Sequence, residues 1–241
     1  MRPSGYTVGS PRLADLHLSR LADSAGRLGL GIPFKLPEIE EMLYRTAEKN
    51  GIEEGGLRLT LTAGSAQCRP SLLVQARVQA YGEEMYRDGI RVGFAPFSRN
   101  EKSPLVRHKT LNYFENIMAR RLASASGWGE ALFLNSAGKL AEGSVSNIFL
   151  VNRGRVIAPD GDSGLLPGIT RRRVINVCVT LEIPLEERVV DPEELYRADE
   201  CFVTNSLMGV MPVIALESSA VGDGKPGKVT RLLSSEMEKE V

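Results

Sequence analysis

The chain has 241 residues in which 30 Lys and Arg balance 30 Asp and Glu, so no net charge is available to hold nucleic acid or an anionic membrane. Hydrophobic residues at 42% and charged residues at 25% exclude a disordered chain and allow one large domain or two small ones, with cores that need no disulfides. No apolar run approaches the length that spans a bilayer and Met1-Arg2-Pro3-Ser4-Gly5 lacks the core of a signal peptide, so a cytoplasmic protein is expected, with Cys68, Cys178 and Cys201 as reduced core residues.

In chain order, Leu13 to Leu30 and Pro37 to Asn50 carry apolar residues at helical intervals. Leu57, Leu59 and Leu61 then alternate with polar residues, and Ser71 to Gln79 and Ile90 to Ala95 are β-rich, which makes the first half α+β. The turn-rich segment from Pro96 to Pro104 reads as a linker, dividing the chain into 1–100 and 101–241. After it, Leu111, Phe114, Met118, Leu122 and Ala125 step by three and four, which predicts a helix that opens near Lys109 and ends at Gly127. Short strands over Glu130 to Asn135 and Val145 to Val151 are separated by a Ser136-Ala137-Gly138-Lys139 turn and followed by another at Asn152-Arg153-Gly154. Leu166-Pro167-Gly168 leads into a helix over Ile169 to Leu181, and Asp191-Pro192-Glu193-Glu194 has the residues of a helix start. Cys201 to Thr204 and Val213 to Leu216 read as strands, and Lys228 to Glu240 as a closing helix.

Several chemistries lack their residues. Two histidines, His17 and His108, with no Cys/His cluster, cannot build a zinc site, and there is no Gly-x-Ser-x-Gly elbow and no glycine-rich nucleotide loop. A different set remains. Lys109-Thr110-Leu111-Asn112-Tyr113, Glu142-Gly143-Ser144-Val145-Ser146-Asn147-Ile148-Phe149, Leu166-Pro167-Gly168-Ile169-Thr170-Arg171, Thr204-Asn205-Ser206-Leu207 and Val210-Met211-Pro212-Val213 follow one another in this order. Together they resemble the class IV aminotransferase family, the fold-type IV pyridoxal-phosphate enzymes, which include branched-chain and D-amino-acid aminotransferases and aminodeoxychorismate lyase. His17-Leu18-Ser19-Arg20-Leu21 is similar to the family's H-x-x-R-L element, so the resemblance covers nearly the whole chain.

The resemblance implies an α+β, two-domain enzyme of the D-amino-acid aminotransferase type, with a smaller domain over 1–100 and a larger cofactor-binding domain over 101–241. It also implies pyridoxal 5'-phosphate as cofactor, a small amino substrate and a homodimer. Lys109 is then the amine that holds the cofactor's aldehyde and moves protons on the substrate; alone it is an ordinary solvated lysine. Glu142 is the carboxylate that keeps the ring nitrogen protonated, with small polar neighbours, Ser146 and Asn147 among them, in a strand edge passing under the ring. The Ile169 and Thr170 amides, at a helix start, bind the phosphate with Arg20 as its arginine fork, and Asn205 and Ser206 lie in a loop that touches it. Tyr113, four residues after Lys109 on the expected helix, either bonds the ring hydroxyl or is a core tyrosine.

Within the family, the Arg-x-His pair of D-amino-acid aminotransferases is missing after Thr62-Ala63-Gly64, and the G-T-A turn of branched-chain enzymes is replaced by Thr204-Asn205-Ser206-Leu207. The stretch from Asn205 to Val213 is most similar to aminodeoxychorismate lyases, which release 4-aminobenzoate and pyruvate. A branched-chain or D-amino-acid aminotransferase is the alternative. The opening strands of family members, with a D-R-G…F-[ET]-[TS] pattern, have no counterpart before Gly5-Tyr6-Thr7, so a shortened first domain is expected and a non-catalytic homologue is a further alternative.

Overall fold

The computed structural model describes residues 6–7, 10–11, 13–52, 55–77 and 81–239. They form two compact units, Met1–Tyr81 and Gly82–Val241. In the first, β1 (Tyr6–Thr7) pairs with β2 (Ser10–Pro11), two helices follow, α1 (Ala14–Arg27) and α2 (Leu36–Lys49), and β3 (Gly56–Thr62) and β4 (Ser71–Arg77) form an antiparallel pair. The alternation in β3 and β4 puts Leu57, Leu59, Leu72 and Val74 against Leu18, Ile39 and Leu43 of the helices, so strand and helix periods converge on one core.

The second unit is built on one sheet. Its elements are α3 (Glu83–Asp88), β5 (Ile90–Phe94), α4 (Phe114–Ala125), β6 (Glu130–Leu134), β7 (Leu140–Gly143), β8 (Asn147–Asn152) and β9 (Arg155–Pro159), then α5 (Ile169–Thr180), β10 (Leu185–Arg188), β11 (Glu200–Asn205), β12 (Gly209–Leu216), β13 (Ser219–Ala220) and α6 (Lys228–Lys239). The strands run β10-β9-β8-β11-β12-β5-β6-β7, with β13 on β12. Phe149, Val151, Val156, Ala158, Phe202 and Val210 turn one face of this sheet toward Val174, Val177 and Cys178 of α5 and Leu233 and Met237 of α6. The β8–β9 turn places Arg153 and Gly154 at φ 51° and 74°, the paired left-handed positions that a tight hairpin requires.

Three sequence expectations change. The segment from Pro96 to Pro104 is not a linker: β5, before it, is a parallel strand between β12 and β6, and Arg99 N–H donates to the Leu134 carbonyl at 2.8 Å, so the segment is pinned to the large sheet and the units divide at Tyr81/Gly82. Lys109 does not open a helix. The Thr110 hydroxyl accepts from the Asn112 amide at 3.3 Å, a local turn that competes with the helical ladder, and α4 starts only at Phe114. The stripe of large apolar residues faces outward: Leu111, Phe114, Met118 and Leu122 are exposed, while Asn116, Ala119 and Ala123 are buried against β6, because small side chains let the helix lie close to Ala131 and Phe133. Among the cysteines, Cys178 and Cys201 are buried as expected, with burial pushing the Cys178 thiol up to about 11, but Cys68 is exposed.

Candidate active site

The site grows from the corner between β7 and β8. Glu130 heads an apolar strand and is 1% exposed, yet its carboxylate is fully used. It accepts from the amides of Ala131, Ser144 and Val145 at 2.9, 3.1 and 3.2 Å, from the Ser146 hydroxyl at 2.7 Å, and from the Ser144 hydroxyl. These bonds fold residues 143–146 around the carboxylate. A Cβ on Gly143 would lie 2.2 Å from Ser146 Oγ, so only glycine permits the corner. The Ser144 carbonyl, turned outward, accepts from Asn116 Nδ2 at 2.7 Å and the Tyr113 hydroxyl at 3.1 Å, which fixes the start of α4 on the same corner.

Glu142 is set beside this clamp with a different environment. One oxygen accepts from the Leu166 amide at 2.9 Å; the other lies 3.3 Å from a terminal nitrogen of Arg99. Burial is the largest influence and pushes the Glu142 carboxyl up to about 7, opposed by Arg99, the Leu166 bond and Lys109, and reinforced by Glu130. The influence of Lys109 places its amine in the electrostatic neighbourhood of Glu142. That amine, on an exposed side chain, lies 6.0 Å from the centre of the Tyr113 ring. Burial first, then Glu130 and Glu142, push the Tyr113 phenol up to about 12, so at neutral pH it remains a proton donor.

Leu166 also joins the corner to α5. Asn147 Nδ2 donates to the Leu166 carbonyl at 2.9 Å, and a Cβ on Gly168 would meet Asn147 Oδ1 at 2.1 Å, so the turn before α5 is seated on the start of β8. Gly168 caps α5 without a side chain, and the amides of Ile169 and Thr170 have no carbonyl one turn earlier. On β11, Thr204 pairs with Asn147 and carries a buried hydroxyl with no hydrogen-bond partner. The Arg171 guanidinium is held by the Pro159 carbonyl at 2.9 Å and Glu187 at 2.5 Å. Asn205 Oδ1 accepts from the Leu207 and Met208 amides at 2.8 and 2.9 Å while its Nδ2 donates to the Val145 carbonyl at 3.2 Å, tying the β11–β12 turn to the corner. Ser206 is exposed in that turn.

Thus the structure gathers Glu142, Ser146, Asn147, Tyr113, Asn205 and the start of α5 with Ile169 and Thr170 around one corner of the second unit. The Ser146 hydroxyl and the Asn205 amide are engaged in building it. Arg20 lies on α1 in the first unit, where burial lowers its pKa from the ordinary guanidinium value. Sequence reading missed Glu130, Arg99 and Asn116. A charge heading the apolar run Ala131-Leu132-Phe133-Leu134 is a usable signal for Glu130; Arg99 and Asn116 carry none until the fold is known.

The amino-transferase class IV family model matches residues 6–216. Branched-chain-amino-acid aminotransferase-like protein 2 of Arabidopsis thaliana is 31% identical over 239 residues, covering 92% of this chain and 42% of the plant protein, so the chain spans less than half of that relative. The structure of a branched-chain amino acid aminotransferase from Thermoproteus uzoniensis, with norvaline, superposes with a TM-score of 0.84 at 31% identity, covering 95% of this chain and 78% of that one. A protein of Legionella pneumophila, described as a candidate 4-amino-4-deoxychorismate lyase, gives a TM-score of 0.88 at 26% identity and covers 98% of this chain and 88% of its own. The match extends through every segment that builds the corner around Glu142, and by that match this chain belongs to the class IV aminotransferases.

Proposed function

We propose that the corner holds pyridoxal 5'-phosphate and that the chain is a 4-amino-4-deoxychorismate lyase, releasing 4-aminobenzoate and pyruvate. The residues fit the cofactor. Glu142 is a buried carboxylate with acceptor capacity unspent, suited to a protonated ring nitrogen, and the α5 start offers amides with no side-chain cap, suited to a phosphate. When bound, this cofactor supplies an electron sink conjugated to the substrate's amine. Glu142 holds the proton at the ring nitrogen. The amides of Ile169 and Thr170, with Ser206 in the neighbouring turn, bind the phosphate. Asn147 and Ser146 shape the strand edge under the ring, and Tyr113 orients toward the ring hydroxyl from its place on the Ser144 carbonyl. Lys109 removes the proton from the amino-bearing ring carbon of the substrate, after which loss of the enolpyruvyl group makes the ring aromatic.

The cofactor reading is carried by Glu142, because a buried carboxylate that accepts one amide and meets Arg99 without a hydrogen bond keeps acceptor capacity for a further cationic donor. The lyase reading is supported by the late loop, where Asn205 accepts from Leu207 and Met208 to make a turn that the family's G-T-A sequence cannot make in that way. The aminotransferase reading is favoured by the names of several relatives, among them the plant protein above. The two separate when the loaded enzyme is given aminodeoxychorismate and, separately, leucine with 2-oxoglutarate. 4-Aminobenzoate without amino transfer is the expected result; glutamate alone establishes the transaminase.

The outward face of α4 supports a second copy of this chain as partner. Leu111, Phe114, Ile117, Met118 and Leu122 are all exposed on or next to one helix, and a chain of zero net charge does not repel itself. Phe114→Ser with Met118→Ser is expected to turn a dimer into a monomer in light scattering; unchanged mass removes this face from the interface.

A further inference from the structure

Arg99 lies beside Glu142 and approaches it in an unusual way. Its backbone is fixed by the Leu134 carbonyl, its guanidinium carbon lies 4.1 Å from the centre of the Phe133 ring, and one terminal nitrogen reaches Asn116 Oδ1 at 3.4 Å. The other terminal nitrogen is 3.3 Å from Glu142 Oε1, yet that nitrogen and Nε are buried without a hydrogen-bond partner. Arg188 shows the contrast: it grips Glu194 through two nitrogens at 2.8 and 2.6 Å, consuming both carboxylate oxygens. Arg99 therefore gives Glu142 its positive charge without occupying its lone pairs.

We propose that Arg99 is a positioning residue that keeps Glu142 ionised and aimed while leaving its oxygens open to a cationic ring nitrogen. This rests on the cofactor reading given above. The charged groups acting on Glu142 come from each neighbouring element: Arg99 from the segment after β5, Lys109 before α4 and Glu130 on β6, together with the neutral Leu166 amide. Lys109 is exposed, and Glu130 is itself an acid that disfavours a second carboxylate. Only Arg99 is a buried cation in that set, with 11% of its side chain exposed, so water does not screen it. The Phe133 face beneath the guanidinium and the Asn116 amide, which also holds the Ser144 carbonyl, keep that charge in place against the corner.

The test uses protein loaded with pyridoxal 5'-phosphate, comparing the native chain with Arg99→Met, Arg99→Lys, Glu142→Gln and the Arg99→Met/Glu142→Gln pair. The pH midpoint of the cofactor's absorption change is expected to rise by about one unit or more in Arg99→Met and to recover in Arg99→Lys. Removing Arg99 is expected to have no further effect on that midpoint in the Glu142→Gln background. An Arg99→Met protein that folds, binds cofactor and keeps the native midpoint overturns the proposal. A shift of equal size in the Glu142→Gln background also overturns it, because Arg99 would then act on another group. A second measurement separates this outcome from failure of the cofactor reading. Glutamate carrying carbon-13 in its side-chain carboxyl allows Glu142 to be titrated by NMR in cofactor-free protein, with the resonance assigned by its loss in Glu142→Gln. If the native chain takes up no cofactor, the functional reading fails, while a raised Glu142 midpoint in Arg99→Met, or in Arg99→Gln should the methionine variant not fold, still upholds the pair. An unmoved midpoint there sinks it.

Discussion

Glu130 and Glu142 are both buried carboxylates on adjacent strands, and the corner between β7 and β8 treats them in opposite ways. Glu130 is surrounded by five hydrogen bonds from amides and hydroxyls of residues 131 and 144–146, so its charge is spread over neutral dipoles that the fold supplies locally. Glu142 receives one amide and an arginine out of alignment, and burial pushes it up to about 7. A saturated carboxylate shapes a loop; an undersaturated one is reserved for something that arrives later. The difference separates the part of the corner that holds its form from the part that does chemistry.

The sharpest way to break that contrast is to remove each side chain in turn. Glu142→Ala is expected to lower turnover of the loaded enzyme by about 10²–10⁴-fold and to cost less stability than Glu130→Ala, because it takes a partner from one amide and from Arg99 rather than from five donors. Glu130→Ala is expected to lower stability by about 3 kcal/mol in chemical denaturation, since it takes the shared acceptor from the Ala131 and Val145 amides and from the Ser144 and Ser146 hydroxyls at once. If Glu130→Ala unfolds no more easily than native while Glu142→Ala does, the assignment is inverted.

A third expectation follows from proton linkage. In cofactor-free protein the folded state holds the Glu142 proton up to about pH 7, whereas in the unfolded chain it leaves near the ordinary value of 4.5. A group raised on folding stabilises the native state fully below its unfolded value, and that contribution is lost as the pH rises through the folded one. Between about pH 4.5 and 7 it should decline by about 3 kcal/mol, measured as the difference between native and Glu142→Gln proteins in urea titrations. A difference that is flat with pH would mean Glu142 is not the undersaturated member of the pair.

The same contrast explains what sequence could and could not reveal. Periods of two and 3.6 are local properties, and they placed α1, α2, β3, β4 and the Arg153-Gly154 hairpin with little error. The motifs around Glu142, Leu166–Thr170 and Asn205 do meet at one corner, because each contains the residue that builds its own turn: Gly143, Gly168 and Asn205. Orientation was harder. Periodicity finds a stripe on α4 but does not say whether the sheet prefers its large side or its small one, and close packing against Ala131 selected Ala119 and Ala123. Arg99 was unreadable for a related reason. Its segment has the composition of a linker, and the charge becomes meaningful only once β5 and β6 carry it under Glu142.

The finest division lies at Ser146, which the family resemblance counts among the cofactor's contacts and which the corner ties to Glu130 at 2.7 Å. If the hydroxyl belongs to the loop, Ser146→Ala removes one charge-assisted bond and leaves the remaining four in place. The expected loss is about 1.5 kcal/mol in stability, with the dissociation constant for pyridoxal 5'-phosphate unchanged within about twofold. If the hydroxyl belongs to the cofactor, the pattern reverses: melting is native and binding weakens by about tenfold, the equivalent of one lost hydrogen bond. Either result moves the boundary between the shaping carboxylate and the reacting one by a single side chain. That boundary is where a glycine at 143, which admits no Cβ beside Ser146 Oγ, already shows how little room the corner has for error.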